Sequence, residues 1–278
     1  MQNLGMIAGA GEFPLLIARQ AHESGCPLPT IALSAQVAAG LMPYCQTLAQ
    51  YGPGQVTKIL RELHKHGVKH VVIVGKVHKQ FLFEKPRLDL RALRLLRQLR
   101  DYRDGALFQA MQQEFAREGI DIVEQTQLLG HLLTPAGVLG TRRPSAREWV
   151  DIRYGFAQAK QVVALDIGQT LVVRHRTVLA VEAVEGTDAA IQRGCRLGRR
   201  GAVVIKVSRP QQDFRFDIPA VGPDTLREVI AGQARVLAVE AGSTLMLHRD
   251  DLVASANAHR VSVVGVTPQM WEAEGAGR

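Results

Sequence analysis

"LGMIAGAGEFPLLIARQAHESG", residues 4–25, decides the fold. The first five residues are an apolar run of strand length, and Gly9 and Gly11 break it within three positions. From Leu15 the apolar residues take helical spacing, and Gly25 closes the segment. Strand, glycine turn and helix in this order open a βαβ unit. The rhythm then repeats. "PTIALS" (29–34) reads as a strand, and "QVTKILRELHKHGV" (55–68) as a helix with Val56, Ile59, Leu60 and Leu63 on one face. "KHVVIVGKV" (69–77) is apolar enough for a strand covered on both sides. Strands alternating with helices predict a parallel sheet. Residues 1–80 are therefore expected to form a nucleotide-binding-like half sheet, within a first domain taken as 1–135.

Further along, "RLDLRALRLLRQLRDYR" (87–103) places Leu88, Ala92, Leu95, Leu96, Leu99 and Tyr102 on one helical face, with six arginines over much of the rest. Such a helix packs its stripe on a core or lies on an anionic bilayer. A helix over 105–119 and a strand over 120–126 follow. Residues 132–145, rich in Gly, Pro and Thr, mark a domain boundary. The second domain, 140–270, is expected to be α/β: a helix over 146–166, strands at 170–176 and 178–186, and a helix opened by Thr187 or Asp188. Strands at 202–208, 235–247 and 259–266 and a helix at 223–234 complete it. Residues 271–278 read as a polar tail. The fold class is α/β in two domains.

The chain has 278 residues, 46% of them hydrophobic and 22% charged, which suits a globular protein rather than a disordered one. The net charge of +8 favours an anionic partner: phosphate, nucleotide, nucleic acid or an acidic membrane face. Cys26, Cys45 and Cys195 show no CxxC spacing, which argues against a disulfide framework or a zinc site and for a reducing cytoplasm. The first residues lack the pattern of a signal peptide, and no apolar run reaches bilayer-spanning length. The nine histidines show no HExxH pattern and are read singly as structural.

Four stretches carry residues suited to phosphate chemistry. The turn Gly9–Pro14 lets backbone N–H groups approach a phosphate, although Pro14 stands where the dinucleotide pattern GxGxxG has its third glycine. "VGKV" ends a buried strand, where ligands of open α/β sheets gather, and offers Gly75 and Lys76. "VEAVEGTDAAI" (181–191) sets Glu182 and Glu185 before a helix start at Thr187 and Asp188. There a helix dipole favours an anion, and a carboxylate can hold a cation; the bland reading is an ordinary cap. "KVSRPQQDFRFDIPAVGPDT" (206–225) joins a strand to a helix. It carries Lys206, Arg209 and Arg215 to neutralise phosphate oxygens. Asp213 and Asp217 can hold a metal ion or position water, and Gln212 can orient either. The bland reading there is a surface salt-bridge loop.

Taken in order, "LGMIAGAGEFP", "VGKV", "RDGAL" (103–107), "LDIGQT" (165–170), "AVEAVEGTDAAI" and the 206–225 loop resemble the LpxI-type UDP-2,3-diacylglucosamine diphosphatases of lipid A biosynthesis. The resemblance implies Mg²⁺-dependent hydrolysis to UMP and 2,3-diacylglucosamine 1-phosphate (lipid X). It implies a Rossmann-like first domain and a second domain of the family's own fold. It places Asp217, within Arg215-Phe-Asp217-Ile-Pro219, at the chemistry with Asp188 and Arg215. Metal contacts would come from Asp217, Asp188 and Glu185. Gly9, Gly11, Pro14, Gly75, Lys76, Thr187, Lys206, Gln212 and Thr225 would meet substrate. Many members read "GDDAL" where this chain has "RDGAL", so only Asp104 of the acid pair carries over. The expected location is cytoplasmic, peripheral on the cytoplasmic face of the inner membrane. Expected partners are the substrate, its two products, that membrane surface and a second copy in a homodimer, with no nucleic acid. A dinucleotide-dependent oxidoreductase and a basic nucleic-acid-binding protein are the rival readings. The first is weakened by the missing third glycine and the missing ribose-binding acid. The second is weakened by 5% aromatic content and the lack of a nucleic-acid module.

Overall fold

A computed structural model of the chain describes residues 3–76, 88–98 and 104–270. Two compact units result: Met1–Leu128 with Phe214–Phe216, and Leu129–Asp213 with Asp217–Arg278. The break falls just before the segment 132–145 that sequence marks as the boundary.

The first unit runs β1 (Leu4–Ala8), α1 (Phe13–Glu23), β2 (Thr30–Ala32), α2 (Ala35–Leu41), β3 (Leu48–Gln50), α3 (Val56–Lys65) and β4 (His70–Val74). It continues with α4 (Leu90–Gln98), α5 (Asp104–Arg117) and β5 (Asp121–Ile122). Its sheet is wholly parallel, in the order β3-β2-β1-β4-β5. Every residue of β1 is buried, as a central strand covered on both faces must be. Helix α3 buries Ile59, Leu60 and Leu63, the positions its spacing selects, against Ile7, Ile31 and Val71. Asp89 joins two helix starts: its carboxylate accepts from Thr57 N at 2.6 Å and from Ala92 N at 2.8 Å. Sequence reading passed over α2 and β3. Ser34, in a polar stretch, supplies the α2 cap, its hydroxyl accepting from Val37 N. The expected Arg87–Arg103 helix is α4 over its described part. Val77, Arg103, the side chain of Asp104 and the 271–278 tail lie outside the described residues.

After α6 (Thr126–Leu129) and one 3₁₀ turn, the second unit runs β6 (Gly137–Val138), α7 (Ala146–Ala164), β7 (Thr170–Arg174), β8 (Thr177–Val181) and α8 (Thr187–Gly198). Then come β9 (Val203–Lys206), β10 (Ala220–Val221), α9 (Pro223–Ala231), β11 (Val236–Glu240), β12 (Leu245–Met246), α10 (Arg249–Ala258) and β13 (Ser262–Val266). The main sheet has the order β6-β13-β11-β9-β7-β8. Strands β13, β11 and β9 are parallel, whereas β7, β8 and β6 run antiparallel to their neighbours. Alternate residues build two cores. Leu171, Val173, Val203, Ile205, Val236 and Ala238 face Ile152, Phe156 and Ala159 of α7. Val172, Val204, Leu237, Val239 and Val263 face Ile191, Leu226 and Leu252 of α8, α9 and α10.

Local chemistry fixes the ends of these elements. Ser145 and Glu148 form a capping box at the start of α7. The β7–β8 hairpin turns through His175 and Arg176, both at positive φ, and the Asp151 carboxylate accepts from both of their N–H groups. Helix α8 packs close because Gly194 faces β7; a Cβ there would sit 2.7 and 2.8 Å from the two methyls of Val172.

Candidate functional site

In the first unit, the turn after β1 meets the turn after β4. Gly9 N donates to Val74 O at 2.7 Å, Ala10 N to Lys76 O at 2.8 Å, and Lys76 N to Ala10 O at 2.7 Å. A Cβ on Gly9 would fall 2.7 Å from Lys76 O, and one on Gly75, at φ +90°, 2.8 Å from Ala10 O. These two glycines thus serve a backbone crossing. Gly11, at φ +113°, is different: it is exposed, and a Cβ there would meet open space. Pro14 is buried in the first turn of α1, the helix position that dispenses with an N–H. The exposed Lys76 side chain extends beyond the crossing. Strand order reverses between β1 and β4, and crevices at the carboxyl ends of such strands are where open parallel sheets bind ligands.

In the second unit, three adjacent strands set a polar row on the face covered by α8. Thr170 of β7 is the register partner of Lys206 at the end of β9. Glu182 extends the β7–β8 ladder by one residue, its N–H donating to Thr170 O at 2.8 Å. Above the row α8 begins at Thr187, with Gly186 at φ +85° as its N-cap, so no N-cap side chain bonds its first N–H groups. Lys206, only 7% exposed, donates to Thr187 Oγ1 at 2.8 Å, and Thr187 donates to Glu182 Oε1 at 2.9 Å. A buried ammonium at an uncapped helix N-terminus is an anion site by charge and by N–H geometry.

Asp217 is held one step away. Gln169, the neighbour of Thr170, donates to Asp217 Oδ2 at 3.4 Å and accepts from Val207 N at 3.0 Å. Arg209 donates to the same Oδ2 at 2.8 Å and grips Asp166 Oδ1 through Nε and its other terminal nitrogen, both at 2.9 Å. Burial pulls the Arg209 guanidinium down, but the hydrogen bond with Asp166 and the charge of Asp217 outweigh it and hold it above its ordinary value. One Asp217 oxygen is thereby clamped, while the side chain stays 47% exposed for further contacts. Gln212 braces the loop from inside, accepting from Arg209 N at 3.1 Å and donating to Asp217 O at 2.8 Å. The loop's root is fixed by Glu240, which accepts from Ser208 N and Oγ, each at 2.8 Å, and from Lys160.

The remaining predicted residues have contacts of their own. The exposed Glu185 is paired with Arg193 at 2.6 Å; its own and Ala183's backbone N–H groups, with that arginine, hold its carboxyl below the usual range. Asp188 stands exposed in the first turn of α8. Arg215 lies over the Phe216 ring in the segment grouped with the first unit. Thr225 is buried in the first turn of α9, and Asp224 there pairs with Arg227. Among the described residues no group of three or more His, Cys, Asp or Glu could hold an ion. A magnesium site needs fewer protein ligands, because one or two carboxylates plus phosphate oxygens and water complete its octahedron. Asp217, held through Oδ2, and the exposed Asp188 fit that demand better than Glu185, whose two oxygens accept from Arg193 and from Ala183 N.

Sequence reading did not assign Thr170, Asp166, Gln169 or Glu240, and it named Glu182 without giving it a role. The signal for the first three was present in "LDIGQT", whose polar residues border the loop.

Family models cover both halves of the chain: the LpxI N-terminal domain matches residues 3–132 and the LpxI C-terminal domain residues 135–264. The chain belongs to the LpxI family. A relative from Caulobacter vibrioides, the UDP-2,3-diacylglucosamine pyrophosphatase LpxI, is 33% identical over 281 residues, spanning 97% of this chain and 99% of that protein. The alignment includes both units, so the glycine crossing and the Asp217 loop fall within a single family pattern.

Proposed function

We propose that this chain hydrolyses the diphosphate of UDP-2,3-diacylglucosamine to UMP and 2,3-diacylglucosamine 1-phosphate. The observation that carries this reading is the half-exposed Asp217, clamped through one oxygen and tied by Gln169 to the row that holds Lys206 under the uncapped α8. In this reading Lys206 and the first N–H groups of α8 take the charge on the phosphate oxygens. Asp217 orients a water toward the sugar-side phosphorus and accepts its proton. The new P–O bond forms as the bond to the UMP oxygen breaks, and UMP leaves as a phosphate monoester. Mg²⁺, held by Asp217 with Asp188, would supply further neutralisation of the diphosphate.

The first unit is read as Rossmann-like, since its order β3-β2-β1-β4-β5 is that of the nucleotide-binding sheet. Gly9, Gly11 and Lys76 would face the uridine nucleotide. Pro14 removes one N–H from the start of α1, so this turn offers one donor fewer than α8. Leu165, Ile167 and Val184, apolar and exposed on loops bordering the Asp217 site, suit acyl chains or a lipid surface. The net charge of +8 suits an anionic membrane face, and no described helix is long and apolar enough to cross a membrane. The test is release of UMP from UDP-2,3-diacylglucosamine with Mg²⁺, comparing wild type with Asp217→Ala. Wild-type inactivity would sink the reading, and full activity of the variant would remove Asp217 from it.

A further inference from the structure

Beside Thr187 and Lys206 stands a carboxylate for which the mechanism above gives no task. Glu182 lies in the row with Thr170 and Lys206, and its Oε1 accepts from Thr187. Its Oε2 is buried without a hydrogen-bond partner among the described residues, as is Thr170 Oγ1 one strand away. An orphaned buried polar atom weakens a fold, because its hydration is lost and not replaced. A fold built only for stability would replace Glu182 by an apolar residue.

The hydrogen-bond directions at Thr187 are forced. An ammonium donates and cannot accept, so the hydroxyl must accept from Lys206. An ionised carboxylate accepts and cannot donate, so the single hydroxyl proton must go to Glu182. Thr187 therefore has no proton left for a phosphate oxygen. Its hydroxyl is the joint through which a fixed carboxylate aims a buried ammonium.

We infer that Glu182 is a positioning residue of the diphosphate site, acting through Thr187 to hold Lys206 Nζ at the N-terminus of α8. Glu182 touches no substrate in this scheme. It fixes the Thr187 rotamer, and with it the hydroxyl that accepts from Lys206. The role rests on the diphosphatase reading for its substrate but on side-chain geometry for its logic. Because the relay sharpens interactions made in the transition state, its loss should lower kcat and leave KM nearly unchanged.

The experiment uses the full chain with Glu182→Gln, Thr187→Val, Thr187→Ser and the Glu182→Gln/Thr187→Val pair. Glu182→Gln and Thr187→Val are each expected to lower kcat about 10- to 100-fold with KM within about threefold. Thr187→Ser keeps the joint and should stay near wild type. The double variant should be no slower than the worse single, since both changes break one chain of contacts. Glu182→Gln within threefold of wild type, Thr187→Ser as slow as Thr187→Val, or a double variant equal to the product of the singles would overturn the relay. If Glu182→Gln does not fold, the serine–valine contrast decides alone. If wild type fails to hydrolyse the substrate, only the diphosphatase reading falls. NMR of the lysine ammonium groups then tests the relay: Glu182→Gln and Thr187→Val should each move the Lys206 resonance and Thr187→Ser should not. A Lys206 resonance that Glu182→Gln leaves in place would overturn the relay.

Discussion

Glu240→Gln tests the root of the Asp217 loop. The wild-type carboxylate accepts four hydrogen bonds: two from Lys160 Nζ at 3.0 Å and two from Ser208, through N and Oγ, at 2.8 Å. Glutamine retains one carbonyl oxygen and presents two hydrogens where an acceptor is needed, so at least one donor must be released. It also leaves Lys160 as an unpaired ammonium. Breaking a buried pair costs about 3–5 kcal/mol. The side chains here are 27% exposed at Lys160 and 10% at Glu240, so water recovers part of that. The expected loss is about 2–3 kcal/mol, a fall of roughly 100-fold in the folded-to-unfolded ratio. For a unit of this size that lowers Tm by about 5–10 °C. Urea unfolding followed by Trp149 fluorescence reads the second unit, because Trp149 packs against the α7-facing core. Hydrolysis should fall as well, since Ser208 immediately precedes the Arg209 that clamps Asp217. A stability loss below about 1 kcal/mol would show that Lys160 and Glu240 are solvated in solution, and would refute the buried-pair reasoning.

Three further outcomes follow from the same structure. Gly194→Ala drives a methyl into Val172 and should cost about 1–3 kcal/mol by denaturation, despite alanine's better helix propensity; a neutral or stabilised variant would refute the close approach. Arg209→Met releases Asp166 and Asp217 together and should lower kcat at least tenfold while the chain stays folded; unchanged turnover would mean that the clamp is not needed. Desolvation, with a smaller push from the charge of Glu228, raises the Cys195 thiol to about 11, so at pH 8 it stays protonated and inert. A thiol reagent followed by mass mapping should label exposed Cys26 in the native protein and Cys195 only after unfolding; native labelling of Cys195 would contradict its burial.

What sequence could tell depended on whether a signal was local. Strands β1, β4, β9 and β13 were legible because strands buried on both faces are continuous apolar runs, and α3 because Ile59, Leu60 and Leu63 repeat at helical spacing. Strand β3 was not legible, since Leu48–Gln50 is short and only part-covered. Helix α10 was also missed, because Arg249–Ala258 buries only Leu252 and Ala256. At the site, the charge mixture of the 206–225 loop signalled chemistry, but it could not say that Arg209 and Gln212 spend their groups on the loop itself. Of Glu182 and Glu185, three positions apart, sequence reading gave the metal role to Glu185 and none to Glu182. Strand register puts one beside Thr170 and Thr187, while a turn hands the other to Arg193. Register is a tertiary fact, and no spacing rule within one segment contains it.

The crossing at Gly9 and Gly75 separates shape from chemistry. Its three hydrogen bonds run between main-chain atoms, so the spacing of the two turns does not depend on any side chain around them. Exchanges at Ala10 or Lys76 can therefore retune what the rim recognises without shifting its walls. At Gly9 and Gly75 even a methyl would force the turns apart. Changes in the rim can thus accumulate cheaply, around two positions that must stay bare.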